Sequence, residues 1–108
     1  MSKFVERVRS LIRAGEVRIS EHGYDELAGD GLTAKEALNG IQEAVIVEEY
    51  PNYPKGPCVL LLQKDRSGAP IHVVWGIPMG HDKPVVLVTA YRPDPERWDQ
   101  TFTRRRQV

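Results

Sequence analysis

The sequence lacks the features of several large protein classes. It has a single cysteine, Cys58, so no disulfide can form within the chain. No apolar run approaches the roughly 20 residues that a membrane-spanning helix needs, and the amino-terminal residues lack the apolar core of a signal peptide. Together these absences predict a soluble, cytoplasmic protein that does not bind membranes.

Motifs of common catalytic sites are also missing. The sequence contains no P-loop, no dinucleotide-binding glycine fingerprint and no Gly-x-Ser-x-Gly elbow. Its three histidines and one cysteine match no spacing of a structural zinc site, so we expect no metal centre and no cofactor. Phosphate-transfer, dehydrogenase and serine-hydrolase chemistry therefore have no support in the sequence.

Length and charge indicate one globular domain with an uneven surface. The 108 residues are 41% hydrophobic and 28% charged, which predicts a single domain over residues 1–108. The formal net charge is zero, but the charges are unevenly distributed. Residues 1–20 carry five basic and two acidic side chains, residues 21–50 carry one basic and eight acidic side chains, and residues 51–108 carry nine basic and five acidic side chains. Such asymmetry favours a polyanion on a basic surface or a basic partner on an acidic one.

Three helices are predicted before residue 44. Each follows a residue that can cap a helix and ends near a glycine, and the caps are Ser2, Ser20 and Thr33. Thr33 and Glu36 have the spacing of a capping box. The second helix carries His22 in its first turn, where the helix dipole favours a neutral imidazole that can act as a base.

Four strands and a last helix are predicted to follow. Apolar alternation and turn residues place the strands at residues 44–50, 59–64, 71–77 and 85–91. Residues 96–104 are expected to form a closing helix that buries Trp98 and Phe102. The predicted fold is α+β, with three amino-terminal helices, a four-stranded antiparallel meander sheet covered on one face by helices, and a carboxy-terminal helix.

The last two strands are predicted to place a histidine, a threonine and a tyrosine on one face. If Ile77 lies opposite Pro84, then His72 lies opposite Thr89, and Tyr91 is two residues further along the same face. A polar group in this position is typical either of a functional site or of a hydrogen-bonded histidine in a sheet core.

The sequence resembles the domain of unknown function family 4258 over about residues 17–98. The stretches that carry the resemblance are ISEHGYDELAGDGLTAKEAL, VEEYPNYPKGPCVLLLQKDRSGAPIHVVWGI and VVLVTAYRPDPERW. The matched motif positions are His22, Thr33, Tyr50, His72, Thr89 and Tyr91. That family is thought to be similar to RelE- and BrnT-type ribonuclease toxins, so the resemblance implies a RelE-like α+β fold, metal-independent RNA cleavage and an antitoxin-like protein partner.

Metal-independent RNA cleavage needs a base for the 2′-hydroxyl, an acid for the leaving oxygen and cations for the phosphorane. We assign His22 and His72 as the acid and base in either order, with Tyr91 orienting one of them, which requires the two imidazoles to lie close together. The expected substrate-binding residues are Lys55, Arg92, Thr89 and Tyr53.

The alternative interpretation is a non-catalytic module that binds another protein. Its contact surface would be the acidic segment 43–50 or the tyrosine- and proline-rich loop 50–57. On this interpretation Tyr53→Ala abolishes complex formation and His72→Ala is tolerated, whereas an enzyme of the first kind loses nearly all activity on His72→Ala.

Overall fold

A computed structural model of the protein describes residues 2–106 as three α-helices and five strands. The helices are α1 (Lys3–Arg13), α2 (Glu21–Gly29) and α3 (Ala34–Asn39), and a 3-10 turn follows at Gly40–Glu43. The strands are β1 (Val17–Ile19), β2 (Val45–Tyr50), β3 (Cys58–Lys64), β4 (Pro70–Gly76) and β5 (Val85–Tyr91). Up to residue 91 the three predicted helices and the four predicted strands are present in the predicted order, and β1 and the 3-10 turn are additional.

The helices begin where the sequence predicts. The hydroxyls of Ser2, Ser20 and Thr33 each accept a hydrogen bond from a backbone N–H three residues further on. At Thr33 the bond is reciprocated by Glu36, which completes the capping box. Within residues 2–106 no helix is long and apolar enough to cross a bilayer.

The sheet has five strands, not the four predicted, in the order β1-β5-β4-β3-β2. Strands β2 to β5 form the predicted antiparallel meander. The added strand, β1, runs parallel to β5, with Val17 paired to Val85. Because β1 has only three residues and its partner strand lies far along the chain, the local sequence pattern does not reveal this pairing.

The β4–β5 register differs from the prediction by two residues. His72 lies opposite Tyr91, and Val74 lies opposite Thr89, with an irregularity between Val74 and Trp75. Because side chains alternate with a period of two, an even shift leaves them on the same face. His72, Thr89 and Tyr91 therefore share one face, as predicted.

One face of the sheet forms the hydrophobic core beneath the helices. Trp75 is fully buried there, together with Leu27 of α2 and Ile41 of the 3-10 turn. The opposite side, here called the open face, has no helix on it. The side chains that alternate toward it include Arg18, Tyr50, His72, Val74, Thr89 and Tyr91.

The closing helix predicted for residues 96–104 is absent. Residues 97–106, here called the C-terminal strap, instead double back on themselves over the open face. The carboxylate of Asp99 accepts hydrogen bonds from the backbone N–H groups of Thr101 and Thr103. Such short-range side-chain bonds compete with helical hydrogen bonding, which explains why the helix does not form.

Candidate functional site: a groove on the open face

A groove of about 640 Å³ crosses the open face of the sheet. It extends from β1 over the central strands to β2 and to the loop that follows β2. Its lining includes Arg18, Tyr50, Tyr53, Lys55, Val74 and Thr89. The volume is within the range of small-molecule and cofactor sites. Three of the four predicted substrate-binding residues, Tyr53, Lys55 and Thr89, thus line one groove.

The groove combines an apolar floor with two cations from separate elements. Val74, Val86 and Val88 contribute the floor, Arg18 enters from β1, and Lys55 enters from the loop after β2. In the described part of the chain, no carboxylate lies within 4.0 Å of either cation. Both positive charges are therefore available to an anionic ligand.

A glycine fixes the loop that carries Tyr53 and Lys55. Gly56 has φ +129°, and a Cβ built there would lie 2.1 Å from the carbonyl oxygen of Ile77. The neighbouring carbonyl of Lys55 accepts a hydrogen bond of 3.0 Å from the N–H of Met79. The close backbone approach holds this side of the groove in place and requires a residue without a side chain.

Tyr50 joins the groove to the C-terminal strap. Its hydroxyl donates a hydrogen bond to the carboxylate of Glu48, which also accepts one of 3.1 Å from the guanidinium of Arg105. Burial, with the neighbouring Glu48 carboxylate as the second cause, raises the pKa of Tyr50 to about 12. The hydrogen bond from Tyr50, assisted by Arg105, lowers the pKa of Glu48. Tyr50 therefore keeps its proton at neutral pH and donates it in the hydrogen bond to Glu48.

His72 lies beneath the C-terminal strap and is fully buried. Its Nε2 is 2.8 Å from the carbonyl oxygen of Phe102, and its Nδ1 is 3.2 Å from the hydroxyl of Tyr91. Because a carbonyl can only accept, Nε2 carries the hydrogen and Nδ1 accepts from Tyr91. The edge of the ring packs against Trp98, with centroids 4.5 Å apart. The predicted contact with Tyr91 is present, in the environment of a hydrogen-bonded core histidine.

The structure does not bring His22 and His72 together. Helix α2 packs on the helical face through Leu27, whereas His72 points to the open face. The side chain of His22 is 67% exposed and lies 3.6 Å from the carboxylate of Glu26, one turn along the helix. Both ring nitrogens of His72 are hydrogen-bonded, to Tyr91 and Phe102, and neither contacts His22, so an acid–base pair built from the two imidazoles has no geometric support.

Arg92 is held outside the groove. Its backbone N–H donates a bond of 2.8 Å to the carboxylate of Asp30, and its guanidinium donates one of 2.8 Å to Asp65. These bonds tie the end of α2 to the turn between β3 and β4. The groove's second cation is instead Arg18, which sequence reasoning missed because the pairing of β1 was not predicted.

The burial of His72 predicts a specific dependence of stability on pH. Burial lowers the pKa of His72 below its ordinary value. Below about pH 6.5 the unfolded chain binds a proton at this residue that the folded chain does not, so the free energy of unfolding should fall with decreasing pH by up to about 1.4 kcal/mol per unit. Urea unfolding between pH 5 and 7, above the titration of the carboxylates, measures this slope.

The control for this experiment is His72→Asn, which removes the titrating group and keeps a polar side chain. The variant should show a shallower slope than the original protein over the same pH range. Equal slopes in the two proteins would mean that His72 takes up its proton freely in the folded state and is not sealed by the strap.

The fold and the groove define an α+β protein with a ligand-sized, cation-bearing site on the helix-free face of its sheet. The family model for the domain of unknown function DUF4258 matches residues 19–92, more than half of the chain, and the chain belongs to that family. No curated protein and no solved structure gave a significant match. The matched region includes β2 to β5, and the C-terminal strap lies outside it.

Among residues 2–106, no three histidine, cysteine, aspartate or glutamate side chains form a group that could hold a metal ion.

Proposed function

We propose that the protein binds single-stranded RNA in the open-face groove and cleaves it without a metal ion, in the manner of RelE- and BrnT-type ribonuclease toxins. The observation that carries the proposal is the presence of two cations, Arg18 and Lys55, without an ion-pair partner among residues 2–106, around an apolar floor beside Tyr50 and Tyr53. Phosphate groups need the cations, and bases need the aromatic and apolar surface.

The groove favours a single strand over a duplex. Tyr53 is 49% exposed and presents its ring to a ligand, and stacking of a base on such a ring contributes about 1–3 kcal/mol. The bases of a duplex are already stacked on one another and cannot use this surface. The open width of the sheet, four strand spacings or about 19 Å, gives room for an extended strand.

Cleavage at this site would use groups other than the two histidines. The 2′-oxygen attacks the phosphorus, the bond to the 5′-oxygen breaks, and Arg18 and Lys55 stabilise the charge on the phosphorane. The Tyr50 hydroxyl turns from Glu48 to the leaving oxygen and gives it its proton, and water removes the proton of the 2′-hydroxyl. The product is a 2′,3′-cyclic phosphate.

Binding is tested with a fluorescently labelled single-stranded RNA and its anisotropy at several salt concentrations. Two phosphate contacts predict that the logarithm of the association constant changes with the logarithm of the salt concentration with a slope of about −1.4. Arg18→Ala and Lys55→Ala should each make this slope shallower by about 0.7. The matched control is Lys35→Ala, an exposed lysine on α3 outside the groove. A control that weakens binding as much as the groove variants would show that the RNA does not lie in the groove.

The same samples, incubated in EDTA, distinguish cleavage from binding alone. We expect fragments with 2′,3′-cyclic phosphate ends, which Tyr50→Phe should reduce at least a hundredfold, near the lower limit for one proton-transfer role. Tyr50→Phe should still bind RNA, because the ring remains. Intact RNA after incubation with a protein that binds it would reduce the proposal to RNA binding.

A further inference from the structure

The sheet ends at β2, whose outer edge is unpaired. The strand order places β2 last, with β3 as its neighbour, and no other strand of residues 2–106 lies against it. A strand edge of this kind presents free N–H and C=O groups that can pair with a further strand.

The first two residues of β2 lack the charge and the proline ring that usually prevent such pairing. None of the six residues of β2 is lysine or proline, and two adjacent apolar side chains, Val45 and Ile46, are 50% and 39% exposed. A bulge between Ile46 and Glu48 divides the edge into two runs. The first run, at Val45 and Ile46, is the apolar one and is the part open to a partner.

A second cleft adjoins this run at the start of β2, between the 3-10 turn and the C-terminal strap, and is separate from the groove. It has a volume of about 620 Å³, and its apolar lining includes Val45, Leu62 and Phe102 of the C-terminal strap. Its charged lining has both signs: the acidic residues are Glu36, Glu43 and Asp65, and the basic residues are Lys64 and Arg66. A strand added beside β2 would direct alternate side chains into this cleft, because neighbouring strands share the orientation of opposed residues.

The charge around the edge specifies the occupant. Both Glu43 and Glu49 are exposed near the ends of β2, and neither has an ion-pair partner in the described part of the chain. If two copies of the chain paired through β2, the carboxylates of both copies would lie close together at the interface. Like-charge repulsion would oppose such a dimer. A basic segment is attracted instead.

We propose that the edge of β2 and its adjoining cleft bind an extended segment of a partner protein in which apolar and basic residues alternate. The segment pairs with the backbone at Val45 and Ile46, places apolar side chains in the cleft and sets its basic side chains beside Glu43 and Glu49. This interaction surface does not depend on RNA binding or cleavage in the groove.

The test uses a short synthetic peptide of alternating lysine and valine, titrated into the ¹⁵N-labelled full chain and followed by NMR. We expect the amide signals of residues 45–49 to shift on addition of the peptide. The Val45→Lys variant should bind the peptide about tenfold more weakly or worse, because it places a positive charge beside the lysines of the peptide and removes an apolar contact. Val88→Lys is the matched control, because it makes the same substitution at another exposed strand valine, 39% exposed, on β5.

Three results would overturn the proposal. One is the absence of binding by the lysine–valine peptide. Another is equal or tighter binding of a peptide with glutamate in place of lysine. The third is an equal loss of affinity in Val45→Lys and Val88→Lys. The amide spectra of the two variants without peptide show that each is folded, so a loss of binding in Val45→Lys reports on the edge itself.

Discussion

Trp75→Ala is expected to unfold most of the protein at room temperature. The indole is fully buried, and loss of so large a buried side chain costs about 3–5 kcal/mol. Its Nε1–H also donates a hydrogen bond of 2.9 Å to Gln63, whose amide donates one of 2.7 Å to the carbonyl of Ala37. Removing the indole leaves the buried oxygen of Gln63 unpaired, which adds about 1–3 kcal/mol. The sum is comparable to the whole stability of a small domain, about 5–15 kcal/mol.

Trp75→Phe separates the two contributions. It keeps most of the apolar volume and loses the hydrogen bond, so it should cost less than the alanine variant and remain folded. Urea unfolding followed by circular dichroism measures both variants. A midpoint for Trp75→Ala equal to that of the original protein would mean that the indole is not part of the core.

Gly56→Ala is expected to impair both stability and RNA binding. The new Cβ would lie 2.1 Å from the Ile77 carbonyl oxygen and 2.7 Å from the Met79 nitrogen. Both are backbone atoms, which cannot move aside as a side chain can, and φ +129° is unfavourable for alanine. Together the overpacking and the backbone strain should cost about 3 kcal/mol or more. The loop must shift, and it carries Tyr53 and Lys55 out of the groove.

Gly80→Ala is the matched control for this substitution. Gly80 also has a positive φ, +78°, but no heavy atom lies within 4 Å of a Cβ built there. It should therefore cost only the conformational strain, about 1–2 kcal/mol, and leave RNA binding unchanged. Denaturant midpoints and anisotropy titrations of both variants give the comparison. Equal losses at the two glycines would mean that the close approach of Gly56 does not shape the groove.

Local signals in the sequence were sufficient for the helices and the strand faces. The caps at Ser20 and Thr33 depend on neighbours within three residues, and the shared face of His72 and Tyr91 depends only on a period of two. An error of two residues in register did not change that face. Such features are encoded within a few residues and can be read without knowing the rest of the fold.

Features that depend on distant partners could not be read in this way. The short β1 pairs with β5, so the position of Arg18 in the groove depends on a contact that no local pattern reveals. The C-terminal strap forms because Asp99 binds the backbone at Thr101 and Thr103, although the same residues have an apolar spacing typical of a helix. The different environments of His22, exposed on α2, and His72, buried beneath the strap, also depend on tertiary packing.

The parallel pairing of β1 with β5 also restricts when the chain can fold during synthesis. The N–H of Ser20 donates to the carbonyl of Leu87, and the N–H of Val85 donates to the carbonyl of Glu16. Glu16 and Ser20, which are synthesised early, therefore cannot form these hydrogen bonds until β5 has been synthesised. Until β5 emerges, β1 and α2 have no sheet edge to join, and the amino-terminal quarter of the nascent chain cannot complete its packing.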